Sequence, residues 1–208
     1  MTPGPSLWLM TAAAFAGAYA IGSLTSAVVV ARLMGLPDPR YHGSKNPGAT
    51  NLLRLGGKAA AGLTLVADIL KGTVPVAAAT VWLGGWPLAL VAAAPFLGHL
   101  FPLYSGLRHG GKGVATGLGV YLALAPWVAA CLIGTWLAVA GLTRYSSLSA
   151  LAAAVSVPLW SVYWYPGDRP LAALGGFLAA LLIYRHKGNI ARLLKGEETR
   201  IGDKSRSG

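Results

Sequence analysis

Six apolar stretches, at about residues 6 to 33, 58 to 83, 86 to 104, 113 to 142, 147 to 165 and 170 to 185, are separated only by short polar segments. Roughly 20 apolar residues span a bilayer. Hydrocarbon excludes a backbone whose N–H and C=O groups are unpaired, so each stretch is expected to be helical. The fourth is too long for one crossing. Pro126 lies inside it, lacks an N–H and clashes with the preceding turn, which divides the stretch in two and brings the count to seven. Composition agrees: 55% of the 208 residues are hydrophobic and 11% charged, where a soluble domain carries about 25% charged residues. The expectation is an all-α integral membrane protein with seven transmembrane helices. It forms a single domain over residues 1–208, with about 199–208 as a polar, frayed tail. The opening MTPGPS has no basic n-region and the first stretch outruns a signal h-region, so that stretch is expected to stay as the first helix.

Net charge is +11, and its placement is informative. The segment from 32 to 58 carries Arg32, Arg40, Lys45, Arg54 and Lys58 against Asp38. The loop from 104 to 113 carries Arg108 and Lys112, and the chain is basic again from Arg185. Cytoplasmic loops are enriched in Lys and Arg, so these segments are expected on the cytoplasmic side of the membrane. The other connections, GGWP at Gly84–Pro87, the break near Pro126 and YPGDRP at Tyr165–Pro170, hold one cation, Arg169. The N-terminus is therefore expected outside and the C-terminus in the cytoplasm; six spans would put the basic tail outside. Topology accounts for the positive charge, and no nucleic-acid partner is expected. Cys131 is alone in an apolar run and reads as lipid-facing or as packing.

The polar segments hold the chemistry. GSKNPGATNLLR, Gly43–Arg54, gathers glycines, a proline, small hydroxyls, amides and cations, which suits a flexible loop closing on an anion. HGGKGVATG, His109–Gly117, is a second glycine-rich run in which the backbone can approach an anion, Lys112 supplies charge and Thr116 a hydroxyl. It departs from a Walker A motif because Gly113 stands where Ser or Thr is required. Asp68 and Lys71 lie one helical turn apart inside the second stretch. They read either as a structural ion pair or, for Lys71, as a substrate contact. His186 and Asn189 share a face if the last helix continues, as a substrate-binding pair or as an interfacial cap. His99 reads as a helix-end hydrogen-bond partner and His42 as a loop residue. Neither a carboxylate dyad nor a metal-ligand set is present, so no metal or cofactor is expected.

Taken in order, GSLTSA (22–27), LPDPR (36–40), GSKNPGATNLLR, DILKG (68–72), GHLFP (98–102), GGKGVAT (110–116), YSSL (145–148) and RHKGNIARLLKGEE (185–198) resemble the PlsY family of acyl-phosphate:glycerol-3-phosphate acyltransferases. The resemblance implies transfer of a fatty acyl group from acyl phosphate to the 1-hydroxyl of sn-glycerol 3-phosphate. The products would be lysophosphatidic acid and phosphate, the first step of bacterial phospholipid synthesis. It implies important roles for Ser44 and Arg54, with Asn46, Thr50 and Asn51 beside them. Glycerol 3-phosphate binding is implied at Gly110, Gly111, Lys112 and Gly113, further roles at His186 and Asn189, and a structural role at Glu197. The family loop has glycine where this chain has Lys45, and Leu107, Arg108 and His109 make the loop before Gly110 one residue longer.

A mixed anhydride is already activated, so the protein chiefly has to bring two anions together, which Arg54, Lys112 and loop N–H groups would favour. Ser146, Ser147 and Asn189 could hold the oxyanion or the leaving phosphate. The base is either His186 or the donor's own phosphate. Ser44 has no evident base beside it to make it a nucleophile. Membrane lipids surround the protein, and its basic face offers a dock for the enzyme that makes the acyl phosphate. The rival readings are a membrane transporter of an organic phosphate, for which no paired halves are visible, and a non-catalytic scaffold.

Overall fold

The computed structural model describes residues 4–202. Among them are nine α-helices and no strand: α1 (Pro5–Gly22), α2 (Ser26–Leu33), α3 (Ala49–Thr80), α4 (Gly85–Leu100), α5 (Val114–Leu124), α6 (Pro126–Thr143), α7 (Ser146–Trp164), α8 (Arg169–Arg185) and α9 (Lys187–Lys195). Five segments are long and apolar enough to cross a membrane: Pro5–Leu33, Ala49–Thr80, Gly85–Ser105, Pro126–Thr143 and Ser146–Trp164. Helices α5 and α8 are shorter, with 11 and 17 residues. The division expected at Pro126 is present: Ala125 leaves the helical region (φ −150°, ψ 75°) and Pro126 opens α6. The chain divides into two compact units at that same point.

Two stretches differ from expectation. The first, expected as one helix, is broken at Ser23–Thr25, where Thr25 adopts φ −84°, ψ 82°. Both the Ser23 amide and its hydroxyl donate to the Tyr19 carbonyl, closing α1. The second begins at Ala49, well before the apolar run, and kinks at Gly57 (φ 75°, ψ −166°). Ala49 to Arg54 are thus two helical turns rather than flexible loop, and the apolar span proper starts where the hydropathy does.

In the unit ending at Ala125, small residues let helices meet backbone to backbone, the usual device where lipid removes the hydrophobic drive for helix pairing. A Cβ on Gly119 of α5 would overlap the Ile69 carbonyl of α3, and one on Gly72 would overlap the Thr116 carbonyl. Thr73 Oγ1 adds a 3.0 Å bond to the Gly119 carbonyl. Helices α1 and α4 meet in the same way at Gly22 and Gly98, and the Tyr19 hydroxyl donates to the Phe101 carbonyl at 2.6 Å. Helix α2 packs Ala27, Val30 and Ala31 on Leu52 and Ala60 of α3. Gly119→Leu is expected to lower stability in detergent by roughly 1–3 kcal/mol. An unchanged thermal midpoint would mean that α3 and α5 part without cost.

In the unit from Pro126, α7 packs between α6 and α8. Trp127 stacks on Trp164 at 5.6 Å, and the Trp164 indole donates to the Cys131 sulfur, so Cys131 is a packing partner. The tail differs from expectation over residues 199–202. The Ile201 amide donates to the Arg144 carbonyl at 2.6 Å, the Arg144 guanidinium donates to the Ile201 carbonyl, and Arg200 lies over the Tyr145 ring. The remaining expected tail, 203–208, lies outside the described residues.

Candidate active site

The predicted site residues fall into polar clusters in both units. In the first, the loop ahead of α3 is built around Asn51. Its buried amide accepts from the Ser44 N–H at 2.9 Å and donates to the carbonyls of Pro39 and His42, each at 3.0 Å. That commits most of the amide's hydrogen-bonding capacity to holding the loop closed. Ser44 and Thr50 are exposed, while Asn46 and Arg54 are half-buried. Lys45 takes φ 55°, the left-handed conformation that the family's glycine would adopt freely, at a cost of about 1–2 kcal/mol. Leu107 and His109, in the longer second loop, are left-handed as well (φ 62° and 56°). Beside the first loop, Asp38 is bound by Arg40 at 2.6 Å, and this hydrogen-bonded guanidinium holds the Asp38 carboxyl below its ordinary range. A depressed carboxylate stabilises the fold above the unfolded-state pKa, and that stabilisation is lost as pH falls through the folded-state value.

The Gly110–Gly113 turn is seated on the end of α4. The Gly111 N–H donates to the His99 carbonyl at 3.1 Å. A Cβ on Gly110 would overlap the Leu100 carbonyl, and one on Gly111 would overlap the His99 imidazole. Gly113 has φ 84°, opens α5 and packs against the Phe96 ring, leaving no room for a side chain. These three glycines are required first by close approach. Lys112, half-buried among them, is the one long side chain of the turn.

Asp68 and Lys71 pair at 2.8 Å with their side chains 4% and 5% exposed. The Lys71 ammonium also donates to the Leu24 carbonyl, in the break between α1 and α2, at 2.7 Å. His99 joins them rather than merely ending its helix: its Nδ1 lies 3.7 Å from Asp68 and 3.2 Å from the Thr116 hydroxyl. Thr116 is fully buried there. A Gly-Ser-Leu-Thr-Ser run inside an apolar stretch was the available signal for the break.

In the second unit, Ser147, Asn189 and Arg192 converge on one carboxylate. Glu198 accepts from Ser147 Oγ at 3.0 Å, Asn189 Nδ2 at 2.7 Å and Arg192 Nε at 2.7 Å. Glu197, to which the resemblance gives a structural role, is exposed, and the side-chain bonds go to its neighbour Glu198. Gly196 terminates α9 in the left-handed conformation (φ 70°), and the reversed chain turns Glu198 onto α7 and α9. His186 is buried at the junction of α8 and α9, with Nδ1 2.8 Å from the Leu182 carbonyl. A carbonyl only accepts, so Nδ1 carries a proton and the ring is fixed by that bond. Ser146 is half-buried at the start of α7.

A family model described as glycerol-3-phosphate acyltransferase matches residues 12–196. The glycerol-3-phosphate acyltransferase of Thioalkalivibrio sulfidiphilus is 54% identical over 201 residues, covering 96% of this chain and 98% of the relative. That of Methylococcus capsulatus is 54% identical over 188 residues, covering 90% and 94%. Among solved structures, PlsY, an integral membrane glycerol 3-phosphate acyltransferase, matches in its glycerol 3-phosphate form with TM-score 0.88 and 38% identity, over 93% of this chain and 96% of that one. Its lysophosphatidic acid form matches with TM-score 0.85 and 37% identity over the same shares. This chain therefore belongs to the glycerol-3-phosphate acyltransferase family.

Proposed function

We infer that this membrane protein transfers a fatty acyl group from acyl phosphate to the 1-hydroxyl of sn-glycerol 3-phosphate, releasing lysophosphatidic acid and phosphate. The observation that carries this reading is the match, over 93% of the chain, to an integral membrane enzyme solved both with the acceptor and with the product of that reaction. Acyl phosphate as donor is supported by the excess of cations over carboxylates, 17 to 6, which suits two phosphate-bearing substrates. The unbroken family match over 12–196 supports one acyltransferase domain.

The residue assignments follow from charge and placement. Arg54 and Lys112 offset the substrate phosphates, with Ser44, Asn46, Thr50 and the Gly110–Gly113 turn around them, the Gly111 N–H itself being taken by the His99 carbonyl. Asn51 serves this set by folding the Ser44 loop. The acceptor hydroxyl attacks the acyl carbon, the C–O bond to phosphate breaks, and the hydroxyl proton passes to the departing phosphate or to His186. Ser146 and Asn189 donate to the oxyanion or the phosphate, while Ser147, whose one hydroxyl proton goes to Glu198, holds that carboxylate in place; donors preorganised in a protected site are worth more than water.

The seven-crossing topology, N-terminus outside and active face cytoplasmic, is supported by the basic segments before α3, before α5 and after α8. Helix α5 rises only about 16 Å, so its crossing starts below the headgroups, at the glycine turn. The same basic face is the docking surface we assign to the enzyme supplying acyl phosphate.

The test is transfer of labelled glycerol 3-phosphate into lipid by purified protein in detergent, with palmitoyl phosphate and separately palmitoyl-CoA. Product with acyl phosphate alone is expected. Product from the thioester as well overturns the donor, and folded protein inert with both moves the assignment to an organic-phosphate transporter.

A further inference from the structure

Four buried polar side chains, Asp68, Lys71, His99 and Thr116, remain outside the chemistry above. Their cost is large: ionisable groups inside a membrane protein are expensive, and a buried ion pair is often no more stable than apolar residues in its place. Stability alone does not account for them, whereas their partners suggest a use.

Around the Asp68–Lys71 pair of α3, the other contacts of the group reach the α1–α2 break, the end of α4 and α5. Lys71 holds the Leu24 carbonyl, which the break between α1 and α2 exposes. Asp68 pairs with Lys71 and faces His99. His99 is held on its Nδ1 edge by Thr116 from α5, while its Nε2 edge occupies the space that a Gly111 side chain would need. The His99 carbonyl takes the Gly111 N–H. The glycine turn therefore rests on His99 twice, through backbone and through ring, and rotating that ring displaces Gly111 and its neighbour Lys112. A narrow cleft lined by Ser23, Thr25, Pro47, Lys71, His99 and Gly111 joins the group to the residues just before α3.

We propose that Asp68, Lys71, His99 and Thr116 act as positioning residues that lock the Gly110–Gly113 turn against the α1–α2 break, and so set the affinity for glycerol 3-phosphate. This rests on the reading that the turn binds that acceptor. The group touches no reacting atom. It fixes where Lys112 and the glycine backbone of the turn stand.

The test is Thr116→Val, which keeps side-chain shape and removes only the bond to His99, with Thr116→Ser as rescue. Thermal unfolding is measured in parallel. Expected is an approximately tenfold rise in KM for glycerol 3-phosphate with kcat within threefold and KM for palmitoyl phosphate within twofold, and wild-type values for Thr116→Ser. His99→Asn, which retains a polar atom where Nδ1 stands, is expected to disturb KM less than His99→Leu. A lowered thermal midpoint with both KM values unchanged makes the group merely structural and overturns the proposal. So does an equal rise in both KM values. Wild-type protein inert toward glycerol 3-phosphate overturns the enzymatic reading instead, which keeps the two failures distinct.

Discussion

His186→Ala is expected to lower kcat by about a hundredfold with both substrates saturating, and to stop short of a thousandfold. His186 is placed to orient a hydroxyl: it is buried, and its Nδ1 is tied to the Leu182 carbonyl, which fixes the ring. A removed sole base costs about 10²–10⁴. The reaction carries a second base, however. The donor phosphate sits one atom from the carbon under attack, and it gains basicity toward that of free phosphate as its C–O bond breaks. Deleting the imidazole then removes orientation of the acceptor hydroxyl and leaves a proton acceptor in place. Orientation by a backbone carbonyl also stabilises an imidazolium less than a carboxylate would. Single-turnover kinetics with purified variant measures the chemical step; a loss beyond a thousandfold would make His186 the base.

Much of the architecture was legible because proline and glycine act locally. Pro126 ends a helix wherever it falls inside an apolar run, and the α5–α6 break followed from that rule alone. The Asp68–Lys71 pair followed from helical spacing. The break at Ser23–Thr25 was not read, because the residues flanking it are apolar enough to sustain a single stretch. The bond that takes up the carbonyl freed there, Lys71 to Leu24, is long-range, and periodicity cannot show it. The helical start of α3 was hidden by the glycines and proline of its motif. Asn51 folds that segment by bonding carbonyls 9 and 12 residues earlier. The glycines of 110–113 were recognised as important, but for access to an anion. Their packing against α4 depends on tertiary contacts with His99, Leu100 and Phe96. The tail over 199–202 was read from polarity as frayed, whereas the link before α7 supplies its partners.

The adjacent pair Glu197-Glu198 shows how one residue of register decides a function. Glu198→Ala is expected to lower kcat/KM by roughly a hundredfold to ten-thousandfold and to reduce the thermal midpoint. Removing the carboxylate takes a charged acceptor from two buried donors, Ser147 and Asn189. Hydrogen bonds to charged groups are worth about 1.5–3 kcal/mol each. Two together correspond to two to four powers of ten at about 1.4 kcal/mol per tenfold. Arg192 adds little, because its side chain is 47% exposed and water can replace the partner. Glu198→Gln keeps an oxygen acceptor and loses the charge, so it should fall between, near tenfold. Glu197→Gln should stay within twofold of wild type, since the left-handed Gly196 leaves that side chain in solvent. The opposite pattern, with Glu197 sensitive and Glu198 silent, would place the structural carboxylate back at Glu197 and remove the basis for Glu198 holding Ser147 and Asn189 in the geometry that catalysis requires.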